Sequence, residues 1–212
     1  MTENPRSISV TGTGTAEAAP DLLTLSVGLE CRRETVAEAY SDAGARSAAV
    51  TSALRENGVA GADISTSGLN VRAEVNWQDG RGQIVTGYLA SSTLTIRIRS
   101  LAASSQVIAA AVAAGGDAVR LNGLSLDFAD PAPVEARARE AAWQDARTTA
   151  AHYAALSGAG LGRVLSLTQQ TGFQAPVPMA KMQRAVAAES LSVEAGESSV
   201  TATVNVVWEL VD

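Results

Sequence analysis

The sequence has 212 residues, of which 46% are hydrophobic and 18% charged, and its formal net charge is −6. This composition is typical of a folded domain and excludes a chain that stays disordered. Because phosphate binding requires a concentrated basic surface, the negative net charge argues against a nucleic-acid partner.

The chain carries no obvious signal for export, metal binding or disulfide formation. Its single cysteine, Cys31, excludes an internal disulfide and a multi-cysteine metal site. No stretch approaches the ~20 apolar residues that span a bilayer, so no transmembrane segment is expected. Residues 1–7 are predicted to be a flexible N-terminus without the apolar run of a signal peptide. As written, the chain is predicted to be cytoplasmic; removal of a leader would make it a periplasmic, cell-envelope or secreted protein.

The first third of the chain predicts two strands and a long helix. Residues 8–15 read as a short strand, in which Gly12 and Gly14 mark a bulge or a close approach of another backbone. Apolar residues alternate from Leu23 to Leu29, which predicts a half-buried strand. A helical period follows over residues 34–57. Its inner face is predicted to carry Val36, Tyr40, Ala43, Val50 and Leu54.

A long hairpin and a short helix come next. Residues 64–77 and 84–99 are predicted to pair across a glycine-rich turn at 79–82. Arg97 and Arg99 are interpreted as the solvated face of the second arm. Residues 104–114 predict a short alanine-rich helix that ends at two glycines.

The order of strand, long helix, strand and strand then repeats about one hundred positions later. Predicted elements are a strand at 124–128, a helix at 134–157, a strand at 163–172 and a last strand at 200–208. A long loop is predicted at 174–199. We therefore expect one domain over residues 8–212, with pseudo-repeat halves at about 22–99 and 123–210.

These elements predict an α+β fold. Strands that alternate cleanly belong to antiparallel or mixed sheets, and two long apolar-faced helices can cover one face of such a sheet. We expect two β-α-β-β halves joined by the short helix.

The chain resembles the SIMPL domain family, also called DUF541, in a set of short motifs along nearly its whole length. These are the opening ISVTGTGT with Pro20-Asp21, Thr66, Trp77 with Gly87-Tyr88, AAGG at 113–116, EAR and DAR in the second long helix, Leu161-Gly162, and the closing VVWEL. The order and spacing of the motifs carry the resemblance, since none is specific alone.

The resemblance implies several properties. Bacterial members are of unknown biochemical function, with links to stress tolerance, and some assemble into large ring- or channel-like homo-oligomers. Periplasmic members typically carry a leader peptide. The eukaryotic namesake associates with a pelle-like kinase in inflammatory signalling.

Two side chains could in principle form a nucleophile and base, Cys31 and His152. A catalytic thiol needs a lowered pKa, and the flanking Glu30 and Glu34 would oppose one. We interpret Cys31 as a structural thiol. No catalytic residue is predicted.

The second long helix, predicted at 134–157, carries a polar stripe of Asp145, Thr149 and His152. The helical rise places its ends about 10 Å apart, too far for a direct hydrogen bond, so the stripe is interpreted as satisfying loop or backbone groups. A metal site is not expected because the chain has one histidine. Gly12 and Gly14 lack the Gly-Lys-Ser/Thr ending of a phosphate loop, so no cofactor is predicted either.

The remaining candidates are interface residues: Trp77, Tyr88, Met179 and Met182. Trp77, beside the predicted hairpin turn, is either folded back on the sheet or offered to a partner. Trp143 is expected in the core. The two methionines lie in the long loop, which is either a disordered loop or an arm between subunits.

Three functions remain open at this point. The leading hypothesis is a non-enzymatic protein that acts through homo-oligomeric assembly, and through contacts with itself or another protein. The alternative is a small-ligand-binding module with a pocket between sheet and helices. The third is a thiol or hydrolytic enzyme that uses Cys31 or the Asp145–His152 stripe.

Overall fold

The computed structural model describes residues 6–78, 80, 82–170, 177–179 and 194–212. Contacts divide these residues into two compact units. The terminal unit is built from the described residues of Met1–Pro20, Phe128–Gln183 and Gly196–Asp212, and the central unit from those of Asp21–Asp127 and Arg184–Ala195.

The described residues form strands and helices in an α+β arrangement, which confirms the predicted fold class. In chain order the elements are β1 (Ser7–Ala18), β2 (Leu22–Arg33), α1 (Val36–Glu56), β3 (Ile64–Gln78), β4 (Gly82–Ile98), α2 (Ser104–Gly115), β5 (Val119–Asp127), α3 (Ala132–Leu156), β6 (Gly160–Gln170), β7 (Val177–Met179) and β8 (Glu197–Val211). Short 3-10 turns precede β3, α2 and β5.

The central unit is a four-stranded antiparallel sheet in the order β3-β4-β2-β5, covered by α1. Leu25, Val27 and Leu29 of β2 pack in its core with Leu94 and Ile96 of β4. These are the alternating positions that the sequence predicts as the buried face of the sheet.

Helix α1 begins and ends at the capping residues that its sequence offers. The Thr35 hydroxyl accepts from the Glu38 amide and donates to the Glu38 carboxylate, so it satisfies one of the free amides at the start of the helix. Gly58 adopts φ +86° directly after the helix, a conformation that favours glycine.

The predicted inner face of α1 is wrong at two positions. The buried residues are Ala39, Ala43, Val50 and Leu54, whereas Val36 and Tyr40 are exposed. Val36 lies in the first turn of the helix. Tyr40 lies on the flank of the buried stripe, where its side chain lines a groove.

Helix α2 packs against α1 and places Val107, Ile108 and Ala111 in the core of the central unit. Among the described residues, the stretch Leu101–Ala118 is long and apolar enough to cross a membrane by length and composition alone. The helix within it has 12 residues, which span about 18 Å of the ~30 Å hydrocarbon thickness of a bilayer.

The terminal unit has its own antiparallel sheet, ordered β1-β8-β6, with the short β7 also paired to β8. Helix α3 packs on β1 and β8 through a row of alanines at every fourth position. The Trp143 ring lies 5.8 Å from the Trp208 ring, centroid to centroid, and Trp143 packs against the core as predicted.

Gly12 and Gly14 explain how closely α3 approaches β1. An ideal Cβ on Gly12 would lie 2.3 Å from the carbonyl oxygen of Ala142, and one on Gly14 would lie 2.1 Å from the Ala142 nitrogen. Strand β1 pairs with β8 without a register shift. Of the two predicted alternatives, the close backbone approach is therefore confirmed and the bulge is wrong.

The arrangement of strands differs from the prediction of one sheet with both long helices on one face. Each long helix covers a sheet of its own. Strand β5, expected in the second half, pairs with β2 of the central unit, and β1 pairs with β8 near the other end of the chain. Alternation identifies a strand from its own residues, but its neighbour in the sheet is a non-local choice.

The predicted long loop contains part of a strand ladder. Val177–Met179 pairs with Glu197–Ser199, so β8 begins three residues before the predicted last strand. Residues 1–5, 171–176 and 180–193 lie outside the described residues.

Candidate functional site

The β3–β4 hairpin carries Trp77, the more exposed of the two aromatic residues that the sequence predicts at an interface. The exposed fraction of Trp77 is 69%, so its side chain is not folded back on the sheet. Val75 pairs with Val85 across the two strands, and Trp77 pairs with Gln83. Because alternate residues of a strand share a face, Val75, Val85 and Trp77 form one apolar surface, called the tip patch here.

The hairpin is anchored to the rest of the central unit by an ion pair. The Arg32 guanidinium on β2 donates to both carboxylate oxygens of Glu74 on β3, with Nη2 to Oε1 at 2.7 Å. This hydrogen bonding holds the pKa of Glu74 below its usual range. The pair fixes the stem of the hairpin while the tip patch stays in solvent.

The other predicted interface residues have different surroundings. Tyr88 is half-buried and packs against the core of the central unit. Met179 is the last residue of β7, and the structure describes its backbone only. Met182 lies outside the described residues.

A buried carboxylate, Asp63, organises the start of β3, and it is not among the candidates that the sequence predicts. Its exposed fraction is 6%. Arg99 donates from Nε to Oδ2 at 2.8 Å and from Nη2 to Oδ1 at 2.9 Å. Arg97 adds an ion pair at 3.2 Å. Both arginines are exposed, as predicted, but together they bind Asp63.

This cluster predicts an acid-sensitive contribution to stability. The Arg99 hydrogen bonds hold the pKa of Asp63 below its usual value, despite the opposing effect of burial. Because the pKa of Asp63 is lower in the folded state than in the unfolded state, its ionised carboxylate stabilises the fold. This contribution is fully present above the unfolded-state pKa of about 3.9. We therefore expect Asp63→Asn to unfold at lower urea concentration than the wild type at pH 7. The difference should fade below about pH 4 and vanish once the pH passes below the folded pKa.

The matched control for this titration is Asp117→Asn, a carboxylate in the turn before β5. Its urea midpoint should match that of the wild type at pH 7, because the substitution alters an exposed side chain. A gap between Asp63→Asn and the wild type that stays constant from pH 7 to acid would contradict the assigned role of the carboxylate charge.

Cys31 lies in the core of the central unit, on β2. Its pKa is raised chiefly by burial, and then by the nearby Asp42 carboxylate, which outweighs the opposing effect of Arg46 and Arg33. From the sequence, Glu30 and Glu34 are expected to disfavour the thiolate. The direction was right, but the cause is burial and Asp42. The thiol is poorly placed to act as a nucleophile.

The polar stripe of α3 satisfies a backbone group, as interpreted from the sequence. The Thr13 amide of β1 donates to Asp145 Oδ2 at 2.9 Å. His152 is exposed, and its ring lies beside that of Tyr153, with centroids 6.1 Å apart. His152 belongs to the terminal unit and Cys31 to the central unit.

Two further site types were weighed in the sequence. In the part of the chain that the structure describes, no three of the His, Cys, Asp and Glu side chains form a group that could hold a metal ion. The backbone around Gly12 and Gly14 lies against α3, so these glycines serve packing where a phosphate loop would need open amides before a helix.

Comparison with known proteins identifies the relatives of the chain. The model of the SIMPL family, described as a protein of unknown function (DUF541), matches residues 8–208. A 26 kDa periplasmic immunogenic protein from Brucella melitensis is 31% identical over 220 residues, which cover 99% of this chain and 87% of the relative. The protein of the same name from Brucella abortus is 30% identical with the same coverage.

An enterobacterial relative is similar over a slightly shorter region. The uncharacterized protein YggE of Escherichia coli K12 is 32% identical over 181 residues, covering 85% of this chain and 72% of the relative. Relatives from two bacterial groups thus match most of the chain, and those from Brucella are named periplasmic proteins.

Proposed function

The chain belongs to the SIMPL family, and we propose that it acts without catalysis, through assembly with further copies of itself. The observation that carries this proposal is the tip patch at the end of the long β3–β4 hairpin. An apolar surface that contains an exposed tryptophan is typical of a protein interface.

The position of β3 in its sheet supports the proposal. It is a 15-residue strand at the edge, paired with β4 alone, so half of its backbone groups face away from the sheet. A long edge strand is a template for pairing with another chain. Leu69, Val75 and Trp77 are exposed along it, and apolar side chains at a free edge favour association.

A second exposed edge allows a closed assembly. Strand β6 is one of the two edges of the sheet in the terminal unit, and it exposes Val164, Leu165 and Leu167. Contact between two different surfaces repeats from copy to copy and closes into a ring when the rotation allows it. We propose that the β3 hairpin of one copy contacts the β6 edge of the next, in a ring- or channel-like homo-oligomer.

The non-enzymatic part of the proposal is supported by the surroundings of the candidate nucleophile and base. Burial opposes ionisation of Cys31, and Asp145 already accepts a backbone hydrogen bond. The names of the Brucella relatives favour the periplasm as the place of assembly. We propose a supporting role in stress tolerance there.

Hydrogen exchange tests whether the free edge of β3 is paired between copies. At concentrations that favour assembly, the outward-facing amides of residues 69–78 should exchange slowly, and dilution should accelerate them. Amides of β2, paired on both sides within the sheet, are the control and should not respond to dilution. Fast exchange of the β3 amides at every concentration would contradict edge pairing.

A groove beside α1, lined by Tyr40, Arg55 and Ser92 among others, favours a second function, the binding of a small ligand. Its lining residues indicate the chemical class of that ligand.

A further inference from the structure

A groove of about 590 Å³ runs beside α1, over the β3–β4 part of the sheet. Its helix side is formed by small residues that include Gly44, Ser47 and Thr51, and its sheet side includes Leu69 and Ser92. The volume falls within the range of ~300–1,000 Å³ of small-molecule sites. The hairpin tip takes no part in its lining.

The floor of the groove contains a buried hydroxyl without a partner. Ser92 is 4% exposed, and in the part of the chain that the structure describes its Oγ has no hydrogen-bond partner. A buried polar group left unpaired costs free energy. Because Ser92 lines the groove, a rotation of its side chain would bring the unpaired hydroxyl to a ligand bound there.

A bulge in β3 creates the space above Ser92. Ser67 pairs with Thr93 and Asn70 pairs with Ser91, so Gly68 and Leu69 interrupt the ladder opposite Ser92. Gly68 has φ +67°, the left-handed conformation typical of one bulge class. The bulge turns Leu69 out to the rim of the groove, where its side chain is exposed.

The helix side of the groove is open at Gly44, and packing does not explain why a glycine stands there. A Cβ on Gly44 would meet no atom within 4 Å. Glycine inside a helix costs about 1 kcal/mol relative to alanine, and nothing packed against Gly44 requires its presence. The open position widens the groove along α1.

The charges of the groove select the class of ligand. Arg55 is the only ionisable side chain other than Tyr40 among the lining residues, and none of the salt bridges between described residues includes it. Tyr40 lies fifteen positions earlier, about 22 Å away along the helix axis. The groove therefore has a cationic end, a hydroxyl-lined middle and an aromatic end.

We propose that this groove binds an elongated organic carboxylate. The carboxylate pairs with the guanidinium of Arg55, a polar group in the middle satisfies the Ser92 hydroxyl, and the apolar end packs against Tyr40 and Leu69. This inference does not rest on the assembly proposed above: Leu69 also lies on the edge strand β3, but Arg55, Ser92 and Tyr40 belong neither to the tip patch nor to β6.

Binding of dansyl-labelled undecanoate tests the proposal, because dansyl fluorescence rises in an apolar site. The probe should bind the wild type saturably, and its uncharged methyl ester should bind roughly tenfold more weakly or worse. Arg55→Gln should weaken binding of the acid to the affinity of the ester. The control Arg147→Gln, which removes an exposed charge on α3, should leave the dissociation constant unchanged.

Two further variants separate the groove from other apolar surfaces. Gly44→Leu fills the groove from a helical position where a Cβ meets nothing, so it should fold, with a wild-type circular dichroism spectrum, and abolish binding. Ser92→Ala should raise the thermal midpoint by removing the unpaired hydroxyl, and it should leave binding of this probe unchanged, because the middle of the undecanoate chain carries no polar group. Failure of the probe to bind the wild type, equal binding of acid and ester, or full binding to folded Gly44→Leu would overturn the proposal.

Discussion

Gly14→Ala is expected to unfold the terminal unit at a much lower urea concentration than the wild type. The added Cβ would lie 2.1 Å from the Ala142 nitrogen and 2.3 Å from the Ala138 carbonyl oxygen. Both are backbone atoms of α3, so no side-chain rotation can relieve the clash. The helix must move away from β1, which opens the core that Ala142 shares with Val10 and Val206.

The expected cost exceeds that of ordinary overpacking. Inserting a methyl group into a packed core costs about 1–3 kcal/mol when side chains can adjust, and here the backbone must move. We expect a loss of more than about 3 kcal/mol in the free energy of unfolding. Trp143 and Trp208 lie in the terminal unit, so urea denaturation followed by tryptophan fluorescence measures the effect.

Gly44→Ala is the matched control for this substitution. It adds the same methyl group within α1, where a Cβ meets nothing within 4 Å. Its stability should stay the same or rise by up to about 1 kcal/mol, because alanine favours the helix. Equal urea midpoints for Gly14→Ala and the wild type would show that the close approach of α3 to β1 is not a feature of the folded protein.

The double substitution Val75→Lys with Trp77→Lys is expected to dissociate the proposed assembly into single chains. Both residues belong to the tip patch and are exposed, so the folded chain should tolerate lysine there. In an interface, the two charges would be desolvated, and loss of a central tryptophan alone commonly costs about 2 kcal/mol or more. The cost is repeated at every contact of a ring. Sedimentation velocity would follow the change in mass.

Asn76→Lys supplies the control. It adds a positive charge between the two substituted positions, on the opposite face of the same strand. We expect this variant to sediment like the wild type. If the double variant kept the wild-type mass, the tip patch would have no part in assembly.

Local elements were predictable because their signals lie within a few residues of each other. The alternation of Leu23, Leu25 and Val27 indicated β2, and the glycine after Asn57 marked the end of α1. The family followed from the order of short motifs. The division into two sheets was not predictable, because the pairing of β5 with β2 and of β1 with β8 is decided by residues far apart in the chain.

The candidate sites also divide into those that could be predicted from the sequence and those that could not. The contact of Asp63 with Arg97 could have been found from the hairpin, since pairing of Ile64 with Ile96 places these two residues opposite each other. The unpaired Ser92 hydroxyl could not. It depends on a two-residue bulge in the partner strand, and serine alternating with apolar residues looks the same in a strand without a bulge.

The solution mass of the wild-type protein, measured by light scattering after size exclusion over a range of concentrations, tests the proposed assembly most directly. One chain has a mass of 21.7 kDa. Assembly through the β3 hairpin and the β6 edge predicts a single, discrete mass that is a whole-number multiple of this value. A mass of one chain at every concentration would contradict assembly as the basis of function.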